Sequence, residues 1–405
     1  MNTSVEDNAN SRKFVAGNSK FLREINTSTV LRIIREREPI SRVQIARLTG
    51  LTKSTVSSII AELLADDLIF ESPSDGRSVG RNPLNLSLKL GKHLVGAIDI
   101  DSPVSRVGVV DIDGSLKGMV VKQISAGDPE NSVSVCIEAL RALRVSLKIE
   151  QLDGVGFSIP GIIDSRNEIV EFSPSLEWKD FYLGDAIRQN APEFKKVSFG
   201  NGANLSALAE LWFGTHKTDM ANFVFLSVHH GIGSGIVMEK RLMEGEYQSS
   251  GEFGHMVILD NGETCSCGSR GCLEAYASDK ATIRRFASMT HTVAEDHSLQ
   301  DIVELGINGD SIAAEVLKQT GYYLGVGISN IIKAIDPHVI VVGGQIVQAW
   351  DIVYPEIMSV VRQRAYFGRL KDVEILPTSL AVPPRLLGAA TLAIEKIFSD
   401  YSISD

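Results

Sequence analysis

The chain lacks the features that would place it in a membrane or outside the cell. No stretch of its 405 residues approaches the run of roughly 20 apolar side chains that spans a bilayer. The polar opening MNTSVEDNANS has none of the apolar core of a secretory leader. A cytoplasmic protein without a membrane partner is expected. Cysteine is scarce as well, with four residues in all, so a disulfide-built scaffold is excluded. That scarcity makes the placement of the thiols informative. Cys265, Cys267 and Cys272 crowd into GEFGHMVILDNGETCSCGSRGCLE, residues 251 to 274. In a reducing compartment such a cluster reads as a metal site or a reactive thiol site. Cys136, alone in an apolar helix, reads as a buried thiol.

A strong positive charge is missing too, the formal net charge being −10. The deficit is uneven, however. Residues 1 to 92 carry 14 Lys and Arg against 10 Asp and Glu, a net of +4, which leaves −14 for the remainder. A mildly basic head therefore precedes an acidic body, and the length calls for two or three units with cores of their own.

The head has a helical grammar. KFLREINTSTVLRIIRERE repeats Val30, Ile33 and Ile34 on one face until Pro39 stops it. Ser41 with Gln44 forms a capping box for a second helix, Gly50 breaks it, and Thr52 caps a third. The apolar positions of that third helix, Val56, Ile59, Ile60, Leu63 and Leu64, fall at helical spacing. LIFESPSDGRSVGRNPLNLSLKL then adds an apolar segment, a Gly/Pro/Ser loop and a strand with Leu84, Leu86, Leu88 and Leu90 alternating. This resembles a winged helix-turn-helix. In such a unit the third helix enters the major groove. Lys53, Ser54, Thr55 and Ser57 at its start would then meet base edges or phosphates, and Arg77 and Arg81 on the wing would meet a minor groove or a phosphate. A three-helix protein-contact module is the competing reading. The weak local charge is compatible with DNA, because a dimer doubles the basic surface and reads two half-sites.

Beyond residue 91 the pattern becomes βββα then β: HLVGAIDI, RVGVVDID and SLKGMVVKQ as strands, with Asp113-Gly114 as a hairpin turn, CIEALRALRVSLK as a helix, and GVGFSIPG holding a buried strand. NFVFLSV, GIGSGIVMEK and PHVIVVGG repeat the theme more faintly. Two similar lobes around a cleft are expected.

With these motifs in order, residues 21 to 400 resemble the ROK family of repressors, open reading frames and kinases. VHHGIGSGIVMEKRLMEGEYQSSGEFGH is similar to the family signature, and CSCGSRGCLE to its zinc motif. A winged head places the chain with the family's sugar-responsive repressors of the xylose repressor type. The resemblance implies an α/β fold: a winged helix-turn-helix followed by a two-lobed, actin-like (ribonuclease-H-like) body. The expected divisions are a flexible arm at 1–20, the DNA-binding domain at 21–90, lobe I at 91–200, and lobe II with the zinc loop at 201–405. A C-terminal helix returning to lobe I is one option.

His255 with Cys265, Cys267 and Cys272 would make a closed Cys₃His tetrahedron, so the implied zinc is structural. Asn201, Glu252, His255 and Glu274 match positions that contact sugar hydroxyls in the family. Carboxylates suit that task because they accept charge-assisted hydrogen bonds.

Three departures argue against phosphoryl transfer. Asn201 is followed by Gly202 where the family's kinases carry an aspartate base, and losing a positioned base removes a factor of about 10² to 10⁴ in rate. Asp99-Ile100-Asp101-Ser102-Pro103 replaces a glycine-rich phosphate loop with carboxylates and a proline. Ser175 stands where kinases usually have asparagine. ATP is therefore not expected. Gly231-Ile232-Gly233-Ser234-Gly235 reads equally as a hairpin turn or a relic phosphate loop, and VVGG at 341–344 as a strand end or a nucleotide contact. His229 and His230 could face the cleft but read first as local hydrogen-bonding residues, and Trp178, Trp212 and Trp350 could stack on a sugar but read first as core or interface.

The expected protein is a dimeric or tetrameric non-enzymatic repressor of carbohydrate genes. It would bind operator DNA and be released by a sugar, with a pentose such as xylose preferred. A sugar kinase with a fused DNA-binding head is the alternative.

Overall fold

The computed structural model describes residues 19–73, 84–364 and 372–400. Arg77, Arg81 and nearly all of the expected N-terminal arm lie outside the described residues. The chain divides into two compact units, one from Met1–Lys92 with Glu395–Asp405, the other His93–Ile394.

In the first unit, α1 (Ser19–Arg37), β1 (Ile40–Ser41), α2 (Arg42–Thr49), α3 (Lys53–Ala65), β2 (Ile69–Pro73) and β3 (Leu84–Leu88) follow in order. The described strands of this unit pair antiparallel in the order β1-β3-β2. Local chemistry sets the boundaries. Ser41 accepts from the Gln44 N–H while Gln44 reaches back to the Ser41 N–H at 2.9 Å, completing the capping box. Gly50 ends α2 with φ of 72°, a left-handed conformation that costs a side-chain-bearing residue more. Thr52 caps α3 through the Thr55 N–H. Val30, Leu31, Ile34, Ile45, Val56, Ile59, Ile60 and Leu63 are buried together with Leu86. Leu90, expected in the strand's alternation, falls beyond the end of β3 and is exposed. The end of the chain supplies the last turns of α12 (Pro384–Asp400) to this unit. There Ser28 Oγ donates to the Phe398 carbonyl at 3.1 Å.

The second unit is built from two like halves. The first holds β4 (Leu94–Asp99), β5 (Val104–Asp111), β6 (Leu116–Gln123), α4 (Pro129–Ser146) and β7 (Gly154–Ile159), then a small sheet of β8 (Ile162–Asp164), β9 (Ile169–Ser173) and β10 (Trp178–Phe181), α5 (Leu183–Asn190) and β11 (Val197–Asn201). The second holds α6 (Gly202–Phe213), β12 (Phe223–Val228), β13 (Ile232–Met238), β14 (Arg241–Leu242), α7 (Glu274–Ala277), α8 (Asp279–Thr290), α9 (Leu299–Ile307), α10 (Ser311–Ile335), β15 (Val339–Gly343), α11 (Trp350–Arg364), β16 (Glu374–Pro377) and the start of α12. The described strands form two five-stranded sheets, ordered β11-β7-β4-β5-β6 and β14-β13-β12-β15-β16. Each is an antiparallel meander extended by two parallel strands, which is the repetition visible in the sequence.

The central strands β4, β7, β12 and β15 are buried along their whole length, as strands covered on both faces must be. The start of α12 lies flush on the first sheet. A Cβ on Gly156 of β7 would come within 1.8 Å of the Ala389 carbonyl oxygen.

Candidate functional site

At the start of α3, Lys53 and Ser54 are exposed while Val56, Ile59, Ile60 and Leu63 are buried on the opposite face. Thr55 and Ser57 are half-buried. Thr52 Oγ1 lies 2.8 Å from both Ser54 Oγ and Thr55 Oγ1. The exposed end of the helix is therefore a lattice of hydroxyls beside one lysine, able to donate to or accept from a polar surface.

The thiol cluster forms as expected. A 3-10 turn, Phe253–His255, delivers His255, and the loop from Glu263 to Cys272 is folded on itself by the bridges Val257↔Cys272 and Thr264↔Arg270. One ligand atom from each of His255, Cys265, Cys267 and Cys272 lies within 4.8 Å of the others. Cys265 Sγ is 3.5 Å from His255 Nδ1 and Cys267 Sγ is 3.8 Å from Cys272 Sγ. A tetrahedral zinc with Zn–S near 2.3 Å has edges of about 3.8 Å between sulfurs and about 3.5 Å between sulfur and nitrogen. The donor set fits that ion in both chemistry and spacing.

Beside the cluster, between the two halves, lies a cavity of about 210 Å³, at the scale of a small ligand. Its lining includes all four expected sugar residues, Asn201, Glu252, His255 and Glu274. They are not equivalent. Asn201 caps α6, accepting from the N–H groups of Ala203 and Asn204, and its amide donates to the Gly161 carbonyl at 2.8 Å. Glu274 accepts from the Ile232 N–H at 2.9 Å and from Ser266 Oγ at 2.7 Å, which ties the thiol loop to the β12–β13 hairpin. Glu252 is exposed to the cleft, with His255 Nε2 3.9 Å away. His255 thus turns one nitrogen to the thiols and the other toward the cleft carboxylate.

The glycine turn resolves as a hairpin. Val228 pairs with Ile232, and side chains at Gly233 and Gly235 would strike Ala203 and Ala207 of α6. VVGG ends the buried strand β15. His229 and His230, whose local hydrogen-bonding role was the favoured reading over a cleft-facing one, both line the cavity. Burial and the nearby Arg385 guanidinium push the His229 imidazole down to about 4. Among the described residues lining the cavity there is no tryptophan. Trp178 is core, edge-on to Phe181, and Trp350 stacks on Tyr354.

The residue that sequence reasoning missed is Arg385, in the first turn of α12. It reaches across to the segment after β4, where Nη1 donates to Asp101 Oδ2 at 2.5 Å and Nη2 lies 2.9 Å from Asp99 Oδ1 and 3.2 Å from the Ile100 carbonyl. Ser158 Oγ also donates to Asp99, at 2.8 Å. The guanidinium answers the charge of Asp99 and Asp101, and the altered loop is filled by side chains. Arg385 also occupies the space over Gly202, where a Cβ would meet Nε at 2.6 Å. No motif marks an arginine that far along the chain. The only signal was an unanswered pair of aspartates at 99 and 101.

A model described as the ROK family matches residues 96–396, and one described as the MarR family matches residues 25–78. The xylose repressor of Bacillus spizizenii is 33% identical over 381 residues, 93% of this chain and 96% of that protein. Among solved structures, a ROK family transcriptional regulator described as a homologue of the E. coli MLC protein superposes with a TM-score of 0.79 at 26% identity, covering 94% of this chain and 98% of that one. A ROK family glucokinase from Streptomyces griseus, solved with glucose and AMPPNP, gives 0.66 at 24% identity over 74% of this chain and 98% of that one. That likeness concerns the fold alone.

Proposed function

The chain belongs to the ROK family, and from that premise we propose that it is a sugar-responsive DNA-binding repressor of carbohydrate utilisation genes, acting in the cytoplasm as a homodimer or homotetramer. The observation that carries this reading is the state of the cleft. Glu252, His255 and Glu274 still face it, while the place of a catalytic base is empty of carboxylate at Gly202 and filled by Arg385. A sugar can be held there, and no side chain at 202 can take its proton.

In this proposal Lys53, Ser54, Thr55 and Ser57 meet the operator, joined by Arg77 and Arg81 from the wing. His255, Cys265, Cys267 and Cys272 hold a zinc ion. With four protein ligands that ion supplies no open coordination position, so its contribution is to hold the loop. The chain's own residues do the rest: Glu274 fastens the loop to the hairpin and Glu252 accepts from sugar hydroxyls. Sugar and operator binding are linked, so each weakens the other by the same factor. Xylose leads the candidates, since a relative is named for it and Gly202 offers nothing to a terminal hydroxymethyl group.

Fluorescence anisotropy on the DNA upstream of the chain's own gene tests the reading, at two salt concentrations and with xylose, glucose and other free sugars. Tight binding that weakens steeply with salt and is released by one sugar is expected. Sustained ATP turnover with any sugar would instead favour a kinase with a DNA-binding head.

A further inference from the structure

His229 is a cleft side chain whose hydrogen bonds are unspent. Asp101 is taken up by Arg385, and Glu274 by the Ile232 N–H and Ser266. The His229 imidazole lines the same cavity, is half-buried, and has no hydrogen-bond partner among the described residues. Its ring nitrogens are not among the side-chain atoms sealed off from solvent, so a ligand in the cavity can reach them. A polar group withdrawn from bulk water without a partner is costly. The ring therefore calls for a partner from the cavity.

The fold holds this ring in place. The His229 N–H donates to the Gly231 carbonyl at 2.9 Å, and the His229 carbonyl accepts from the Asp279 N–H at 2.8 Å. The first bond closes the β12–β13 hairpin and the second joins it to the start of α8. The hairpin also packs against Glu274, whose Oε2 would lie 2.5 Å from a Cβ at Gly231. His229 is thus fastened before any ligand arrives, which lowers the ordering cost of a contact.

Charge decides what the ring meets. Burial, then Arg385, Arg106 and His230 work against a proton on His229, and Asp101 only partly opposes them, so the imidazole is neutral at physiological pH. A neutral imidazole offers one donor and one acceptor. Glu252 and Glu274, by contrast, only accept when ionised. A sugar hydroxyl can take either role toward the ring, whereas a phosphate finds no positive charge there.

Resting on the proposed reading of the cleft as a sugar site, we infer that His229 is a specificity-determining effector contact whose imidazole hydrogen-bonds one hydroxyl of the sugar.

Cycles that change protein and ligand together test this. His229→Leu keeps bulk without polar atoms, and His229→Gln keeps a donor and an acceptor at similar reach. Wild type and both variants, shown by thermal melting to be folded, are titrated calorimetrically with D-xylose, D-glucose and the monodeoxy analogues of each. Wild-type protein should bind several analogues more weakly than the parent sugar. At one hydroxyl that penalty, roughly 10- to 100-fold, should vanish in His229→Leu while the penalties at other positions persist. His229→Gln should bind the parent roughly threefold or more tighter than His229→Leu does. Wild-type affinity for the parent in His229→Leu would overturn the inference and leave the effector reading standing. So would a loss shared equally by every analogue, the mark of support at a distance, or a His229→Gln variant no tighter than His229→Leu. Ring-nitrogen NMR of histidine-labelled wild type gives a check that needs no stable leucine variant. The signal absent from His229→Gln should shift when the sugar is added, and an unmoved signal would also overturn the inference. Wild-type protein that binds no sugar in the panel would overturn the effector reading and this inference with it.

Discussion

Asp279 is a carboxylate in a place that does not suit one. It opens α8, its side chain is buried at 7% exposure, and Oδ1 has no hydrogen-bond partner among the described residues. Burial, reinforced by the charge of Asp101, lifts its carboxyl to about 7, against about 3.9 in an unfolded chain. The folded state thus holds this proton more tightly than the unfolded one. Stability is unaffected by the mismatch below about pH 4, falls as pH rises through the window up to about 7, and carries the full penalty above it. Asp279→Asn removes the penalty. The variant should melt several degrees above wild type at pH 8, at about 2–4 °C per kcal/mol recovered, and the gap should shrink at pH 5. Scanning calorimetry at the two pH values checks this, and a gap independent of pH would refute the assignment. Individual residues were unevenly legible. Asn201, Glu252 and Glu274 could be placed at the cleft from their motifs. That the first and last are already bonded to backbone, and that Arg385 closes the network, depends on contacts between residues far apart in sequence.

At the scale of elements, legibility followed locality. The head helices were readable because caps and apolar spacing lie within a few residues of one another, and the capping box at Ser41 and the stop at Gly50 are seen as expected. The buried strands were readable as apolar runs. The small sheet of β8, β9 and β10 was not, because strands as short as Ile162–Asp164 offer too few residues to alternate. Their pairing is set by the tertiary fold. The thiol loop is an intermediate case: its clustered donors were plain in sequence, but its attachment through Glu274 was not. That attachment gives a prediction. Cys272→Ser removes one of the four donors and loosens the bridge to Val257. On the proposed zinc and sugar assignments, the purified variant should carry less zinc than wild type by elemental analysis, melt earlier, and bind the sugar at least tenfold more weakly. Operator affinity without sugar should stay within about threefold, since the head carries its own core. Retained sugar affinity in a zinc-free variant would show that the loop holds its shape without the metal.

For the molecule as a whole, the sequence gradient of charge suggested a basic head before an acidic body, and the chain divides into two compact units at Lys92. It did not anticipate that the head is discontinuous, built also from the chain's last residues. Ser28 bonds to Phe398, and Glu395 lies near enough to Arg35 to raise the hold on its proton, opposing the burial that lowers that guanidinium to about 10. A chain ending at Ile394 should therefore show faster amide exchange in α1, by tenfold or more, while exchange in β4, β7, β12 and β15 is unchanged. Exchange mass spectrometry reads both, and equal protection of α1 in the two chains would show that Glu395–Asp405 contributes nothing to the head.

The same discontinuity orders events at the ribosome. The first 92 residues are synthesised early, but the unit they belong to is complete only when the residues from Glu395 onward have emerged. The unit that carries α3 is thus finished after the whole cleft has been made. A chain interrupted by premature termination would carry an unfinished head and, in the proposed function, would compete poorly with the full-length protein for DNA.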